Sequence, residues 1–123
     1  MPAFIKSVQH ATRGLFIFFK TERNGKIQLS ISLMAVVLGL YFHITSAEWC
    51  WVIVSIVAVI GMEMINTALE HLCNLVSPDY HPAIKNIKDI SAGAVWLVAI
   101  GAFVIGIFVF SKYIILIMNN ILY

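Results

Sequence analysis

The stretch from Gly61 to Glu70, GMEMINTALE, sets Glu63, Asn66, Thr67 and Glu70 at spacings of three, four and seven, with Asn74 one turn further on. On a helix these residues share one side. The stretch closes the apolar run WCWVIVSIVAVIGM that starts at Trp49, so two carboxylates are carried into or beside hydrocarbon, where ionisable groups are costly and mark function. No cysteine or histidine pair of metal-ligand spacing stands nearby, so the stripe suits hard cations and phosphates better than zinc. Glu63, at the hydrocarbon edge, is placed to act as general base towards a lipid hydroxyl, and Asn66 can hold either a carboxylate or that hydroxyl. Glu70, in a wetter position, is suited to stay anionic and hold magnesium. Glu22 is a second acid able to reach the same ion if the first helix folds back on the bundle. Lys88 beside Asp89 supplies a phosphate-binding cation and an acceptor for a ribose hydroxyl, an amine or a lysine. Neighbouring helical positions diverge by about 100°, so the two should find different partners.

Simpler readings stand beside these. Glu63 and Asn66 could form a buried interhelical hydrogen-bond network, and Glu70 an interfacial ion pair. Lys88 could snorkel, Asp89 could cap a helix, and Glu22 with Arg23 and Lys26 could be an ordinary wet boundary.

The elements that must position this stripe follow from composition. Of 123 residues 61% are apolar and 11% charged, with a mean hydropathy of +0.94, too little polar surface for a soluble domain of this length. The expectation is one all-α integral membrane domain over 1–123, with a surface helix at about 3–22 and transmembrane helices at about 27–44, 48–74 and 83–111. In the first segment Lys6, Arg13 and Lys20 recur every seven positions opposite Phe4, Ile5, Val8, Leu15, Phe16, Phe18 and Phe19, the pattern of a helix lying on an anionic leaflet. A partner-binding helix is the alternative.

Thr45 with Glu48 has the form of a capping box, and Trp49 and Trp51 stand where an aromatic belt belongs. At 1.5 Å per residue Glu63 lies about 21 Å below the tryptophan level and Glu70 about 10 Å further on. Ser77-Pro78 and His81-Pro82 signal a turn and a helix start near Pro82, with lipid crossed from about Gly93 to Phe110. Lysine and arginine cluster before Ile27 and at Lys85 and Lys88, which predicts a cytoplasmic amino end, a cytoplasmic 75–88 loop and an outward carboxyl end. Lys112 is the single violation. That orientation puts Glu22, Glu63, Glu70, Lys88 and Asp89 at the cytoplasmic face. The opening residues carry no cleavable leader pattern, so insertion through an uncleaved helix is expected.

Other chemistry is weakly signalled or absent. Cys50 and Cys73 have no framework spacing and read as buried small hydrophobes. His10, His43, His71 and His81 are scattered, and Gly93, Gly101 and Gly106 read as close-packing positions. No GxxxxGK[ST] or GxGxxG string exists, so any nucleotide site must be non-standard. Nothing resembles a nucleic-acid platform, and no nucleic-acid partner is expected. A noncatalytic membrane scaffold, with the stripe as glue, and a small transporter subunit are the competing functions. The second would need polar groups at all depths, whereas here they stop at one face.

EMINTALE at 63–70, DYHPAIKNIKD at 79–89, SAGAV at 91–95 and RGLFIFFKTERN at 13–24 together resemble the small prokaryotic membrane diacylglycerol kinase and undecaprenol kinase family, over essentially the whole chain. The resemblance implies a homotrimer of three-crossing subunits with amino-terminal surface helices. It also implies a bacterial inner-membrane enzyme that transfers the γ-phosphate of ATP to a lipid hydroxyl, using Mg2+ and sites shared between subunits. In this likeness Glu63 matches the catalytic base, Asn66 its partner, and Glu22 and Glu70 the metal-supporting carboxylates. Lys88 and Asp89 match nucleotide contacts, and Asp79, Tyr80 and His81 occupy the loop that approaches ATP. Ala92 matches a position beside the lipid substrate. His10 stands where some relatives place a tyrosine near the nucleotide, and Asn74 where many place an aspartate, so adenine packing and metal coordination are expected to differ in detail.

Overall fold

The computed structural model describes residues 2–123, which form four helices: α1 (Pro2–Thr21), α2 (Arg23–Phe42), α3 (Ser46–Val76) and α4 (Pro82–Leu122). Among the described residues there is no strand. The three later helices are long and apolar enough to cross a membrane. Their large side chains, such as Leu33, Val57, Trp96 and Phe108, point outward, which is the cheap arrangement when the solvent is lipid.

The 31 residues of α3 and the 41 of α4 correspond to roughly 46 and 61 Å of helix, well beyond a hydrocarbon layer of about 30 Å. Both helices are therefore longer than a single crossing needs. α4 continues to Leu122, past residue 111 where the sequence reading ends its last crossing.

Each junction has a local cause. Between α1 and α2 only Glu22 leaves the helical region (φ −96°, ψ 124°), while its N–H still bonds to the Phe18 carbonyl at 2.9 Å. The Phe18 ring, 4% exposed, lies so close to Gly25 that a Cβ there would stand 2.7 Å from the ring edge. The missing side chain is what lets α1 pack on α2. His43 ends α2 in the left-handed region (φ 52°, ψ 52°), a conformation histidine tolerates better than most residues. The capping box read from the sequence is formed: the Thr45 hydroxyl accepts from the Glu48 N–H at 3.2 Å, and the Glu48 carboxylate from the Thr45 N–H at 3.1 Å. The His81 imidazole Nδ1 accepts from the Ala83 N–H at 3.1 Å, capping α4 just before Pro82.

Packing is most extensive between α3 and α4. At one end Ile44, Val52 and Val109 are buried together against Phe42, Phe110 and Tyr113. Above them Glu48 accepts from the Tyr113 hydroxyl at 2.6 Å and pairs with the Lys112 ammonium at 3.1 Å, while the Tyr113 ring stacks on Phe42 with centroids 5.4 Å apart. The lysine that violates the charge rule is thus answered by a carboxylate on the neighbouring helix. Cys73 is buried as expected, but Cys50 is exposed: it lies on the outward side of α3, off the line of Val52 and Val59.

Candidate active site

On α3 the buried residues are Val52, Val59, Glu63, Asn66 and Cys73, spaced seven, four, three and seven apart, a single stripe turned towards the other helices. Two of them are polar. Glu63 is 6% exposed and Asn66 8%. Asn66 donates its Nδ2 to the Glu70 carboxylate at 3.2 Å, one turn further along, and its Oδ1 is buried without a partner. A buried acceptor left unpaired costs about 1–3 kcal/mol. In a site that binds a hydroxyl or a hard cation, the same oxygen is a ready ligand. Val59 precedes Glu63 by one turn on the buried stripe, and the carboxylate sits where the apolar part of that stripe gives way to the polar one.

Glu22, at the break between α1 and α2, places an oxygen 3.3 Å from the His71 Nε2. The α1–α2 break thereby brings the Glu22 carboxylate against α3 at His71, the residue after Glu70 in the chain. His71, one of the scattered histidines of the sequence, is the residue that receives it, and no local pattern signalled that role. Among the described residues no three histidine, cysteine, aspartate or glutamate side chains form a metal cage.

A concavity of about 330 Å³ opens where α3 ends and α4 begins, lined by Asn74, Ser77, Asp79, Tyr80, His81 and Lys88 among others. Lys88 donates to Asn74 Oδ1 at 2.6 Å across the two helices, whereas Asp89 accepts from Lys85 at 2.6 Å along its own helix. Lys88 and Asp89 do have different partners. Tyr80 is largely exposed, and Asp79 and His81 are exposed beside it, so the loop presents polar groups to whatever enters. Ala92 is half-buried on α4, one turn before the outward-facing Trp96 and Leu97. His10 is exposed on α1, and none of the described hydrogen bonds or ion pairs brings it to the rest of the site.

The arrangement has a buried carboxylate and amide where the apolar stripe of α3 ends, a second carboxylate, Glu70, two turns past Glu63, and a cation-bearing pocket at the helix ends. It can bind an anion at the wet end and remove a proton at the apolar one. Residues 9–110 match the prokaryotic diacylglycerol kinase family. Over 107 residues the chain is 33% identical to an undecaprenol kinase of Bacillus subtilis (strain 168), covering 87% of each chain. It is 31% identical over 106 residues to a diacylglycerol kinase of Synechocystis sp., covering 85% of this chain and 61% of that longer one.

Proposed function

The chain belongs to the prokaryotic diacylglycerol kinase family and is a membrane lipid kinase, and we propose that it transfers the γ-phosphate of ATP directly to the hydroxyl of diacylglycerol or undecaprenol. The observation that carries the residue assignment is the pairing of buried Glu63 with buried Asn66, whose Oδ1 is unpartnered, on the one stripe of α3 that reaches both lipid and water.

In this reading the acceptor hydroxyl comes in from the lipid side, past Ala92, and lies between Glu63 and Asn66. Glu63 takes the hydroxyl proton as the lipid oxygen bonds to the γ-phosphorus, and the bond from that phosphorus to the bridging oxygen breaks, leaving ADP. Asn66 is held by its bond to Glu70, which leaves Oδ1 to orient the hydroxyl. Lys88 and Asp89 hold the nucleotide, with Asp79, Tyr80, His81 and His10 around it. Glu22 and Glu70 would hold magnesium, which when bound supplies positive charge to the phosphates.

The distribution of lysine and arginine supports a bacterial inner-membrane protein with its amino end and this site at the cytoplasmic face. Exposed Phe4, Ile5, Val8 and Phe16 with Lys6, Arg13 and Lys20 support α1 lying on the anionic leaflet. The half-buried small residues of the transmembrane helices support association into a homotrimer.

The test is transfer of labelled γ-phosphate from magnesium-ATP by purified, reconstituted protein, with diacylglycerol and undecaprenol supplied in parallel at equal surface concentration. Labelling of one lipid identifies the acceptor. Labelling of neither by folded, ATP-binding protein would sink the assignment of both.

A further inference from the structure

Two ammonium groups line the pocket at the α3–α4 connection, those of Lys85 and Lys88. They are three positions apart on α4 and so are neighbours on one side of that helix. The proposed function uses Lys88 and Asp89 and leaves Lys85 without a role. Lys85 donates to the Asp89 carboxylate at 2.6 Å, and both side chains of the pair are more than half exposed. Among the described residues it is Lys85, not Asp89, that lines the pocket.

The ion pair alone explains Lys85 poorly. Lys85 is the fourth residue of α4, in the first turn, where the helix dipole disfavours a cation. A lysine four positions before its acid is also the weaker of the two orders, and a pair of this kind shifts an equilibrium by only about twofold. So weak a contact is readily exchanged. A phosphate chain offers several anionic oxygens and can accept charge-assisted bonds from two neighbouring ammonium groups at once.

We infer that Lys85 is a second phosphate-binding residue, which passes from Asp89 to the phosphate chain of the donor and so frees the Asp89 carboxylate for the ribose or base of the same nucleotide. The inference rests on the reading of this pocket as the nucleotide site. No covalent bond changes: one ammonium exchanges its acceptor, and both Asp89 oxygens are left to accept from a hydroxyl or an amine.

The experiment measures equilibrium binding of ATP and of inorganic tripolyphosphate, which has neither ribose nor base, to the reconstituted full chain. Salt is held at about 0.15 M, where charges more than about 8 Å apart are largely screened. Lys85→Gln should raise the dissociation constants of both ligands roughly tenfold, the lower end of what a charge-assisted hydrogen bond contributes. Lys85→Arg should recover most of the loss, and the effect of Lys85→Gln on tripolyphosphate should persist in an Asp89→Asn background. Weakened ATP binding with unchanged tripolyphosphate binding would mean that Lys85 acts only by holding Asp89, and would overturn the inference. So would an effect that vanishes once Asp89 is replaced, or wild-type protein that binds ATP but no tripolyphosphate. If wild type binds neither ligand, the reading of the pocket fails and the inference with it. If wild type binds ATP and phosphorylates lipid while Lys85→Gln binds both ligands normally, the inference alone fails.

Discussion

Gly25→Ala tests how the first helix delivers Glu22 to the site. In an unencumbered helix this change is favourable by about 0.5–1 kcal/mol, since alanine loses less backbone entropy than glycine. Here a Cβ would meet three atoms of the Phe18 ring at 2.7, 2.9 and 3.2 Å, where ordinary contact begins near 3.4 Å. The ring would have to withdraw by roughly 0.7 Å, and interiors packed this closely resist such movement. Phe18 is 4% exposed and is the one buried residue of α1, so its displacement moves the whole seam between α1 and α2. Overpacking of this kind costs about 1–3 kcal/mol, which set against the propensity gain leaves a net loss of up to about 2.5 kcal/mol.

The functional consequence follows from position. Glu22 lies four residues after Phe18 and three before Gly25, and its 3.3 Å approach to His71 depends on that seam. The expected outcome is a lower thermal unfolding midpoint in detergent together with a higher magnesium and ATP requirement in the phosphorylation assay. The coupling is checked with Phe18→Ala: once the ring is gone, Gly25→Ala should become neutral or stabilising. If Gly25→Ala alone raises the midpoint and leaves ATP dependence unchanged, the contact does not position Glu22 and the reasoning is wrong.

Other substitutions separate the parts of the site. Glu63→Gln should lower turnover by roughly 10²–10⁴-fold while leaving ATP binding nearly intact; weakened binding with normal single-turnover transfer would count against a general base. Glu70→Gln should raise the magnesium concentration needed for half-maximal rate and also loosen Asn66, whose amide it anchors; an unchanged magnesium titration would remove Glu70 from that role. Glu48→Gln, at the opposite end of α3 and about 22 Å from Glu63, should lower thermal stability by depriving Lys112 of its counter-charge, with KM for ATP unaltered. A shift in KM without loss of stability would show that this cluster is coupled to the site.

What was legible in the sequence is what depends on periodicity along one helix. Glu63, Asn66 and Glu70 share a face because of their spacing, and a polar side chain in an apolar run is conspicuous because it is expensive. The capping box at Thr45 and Glu48 is local and was legible for the same reason. Contacts between helices were not. Asn74 and Lys88 are fourteen residues apart and Glu48 and Tyr113 sixty-five, and no spacing rule joins them. Lys112 read as a misplaced charge only because its carboxylate sits on another helix, and His71 looked uninformative until the break at Glu22 brought an acid beside it. Cys50 failed differently: in lipid, an apolar position is as comfortable outside as inside, so hydrophobicity does not determine which side faces inward.

That last point changes what burial means in this chain. In water, a buried apolar residue is explained by the solvent. Among the described residues seven apolar side chains are buried while dozens of others face outward, so burial reflects packing rather than escape from solvent. Glu63 and Asn66, buried beside them, have the most to lose from that environment, and the Asn66 oxygen is left without a partner. On the lipid-kinase reading this incompleteness is the functional feature. The phosphate donor is soluble only in water and the acceptor only in lipid, so the two can meet only at a depth both can reach. In the proposed mechanism Glu63 marks that depth: one turn before it the stripe is apolar Val59, and one turn after it Asn66 with its bond to Glu70. Moving the carboxylate by a single turn in either direction would therefore separate it from one of its two substrates.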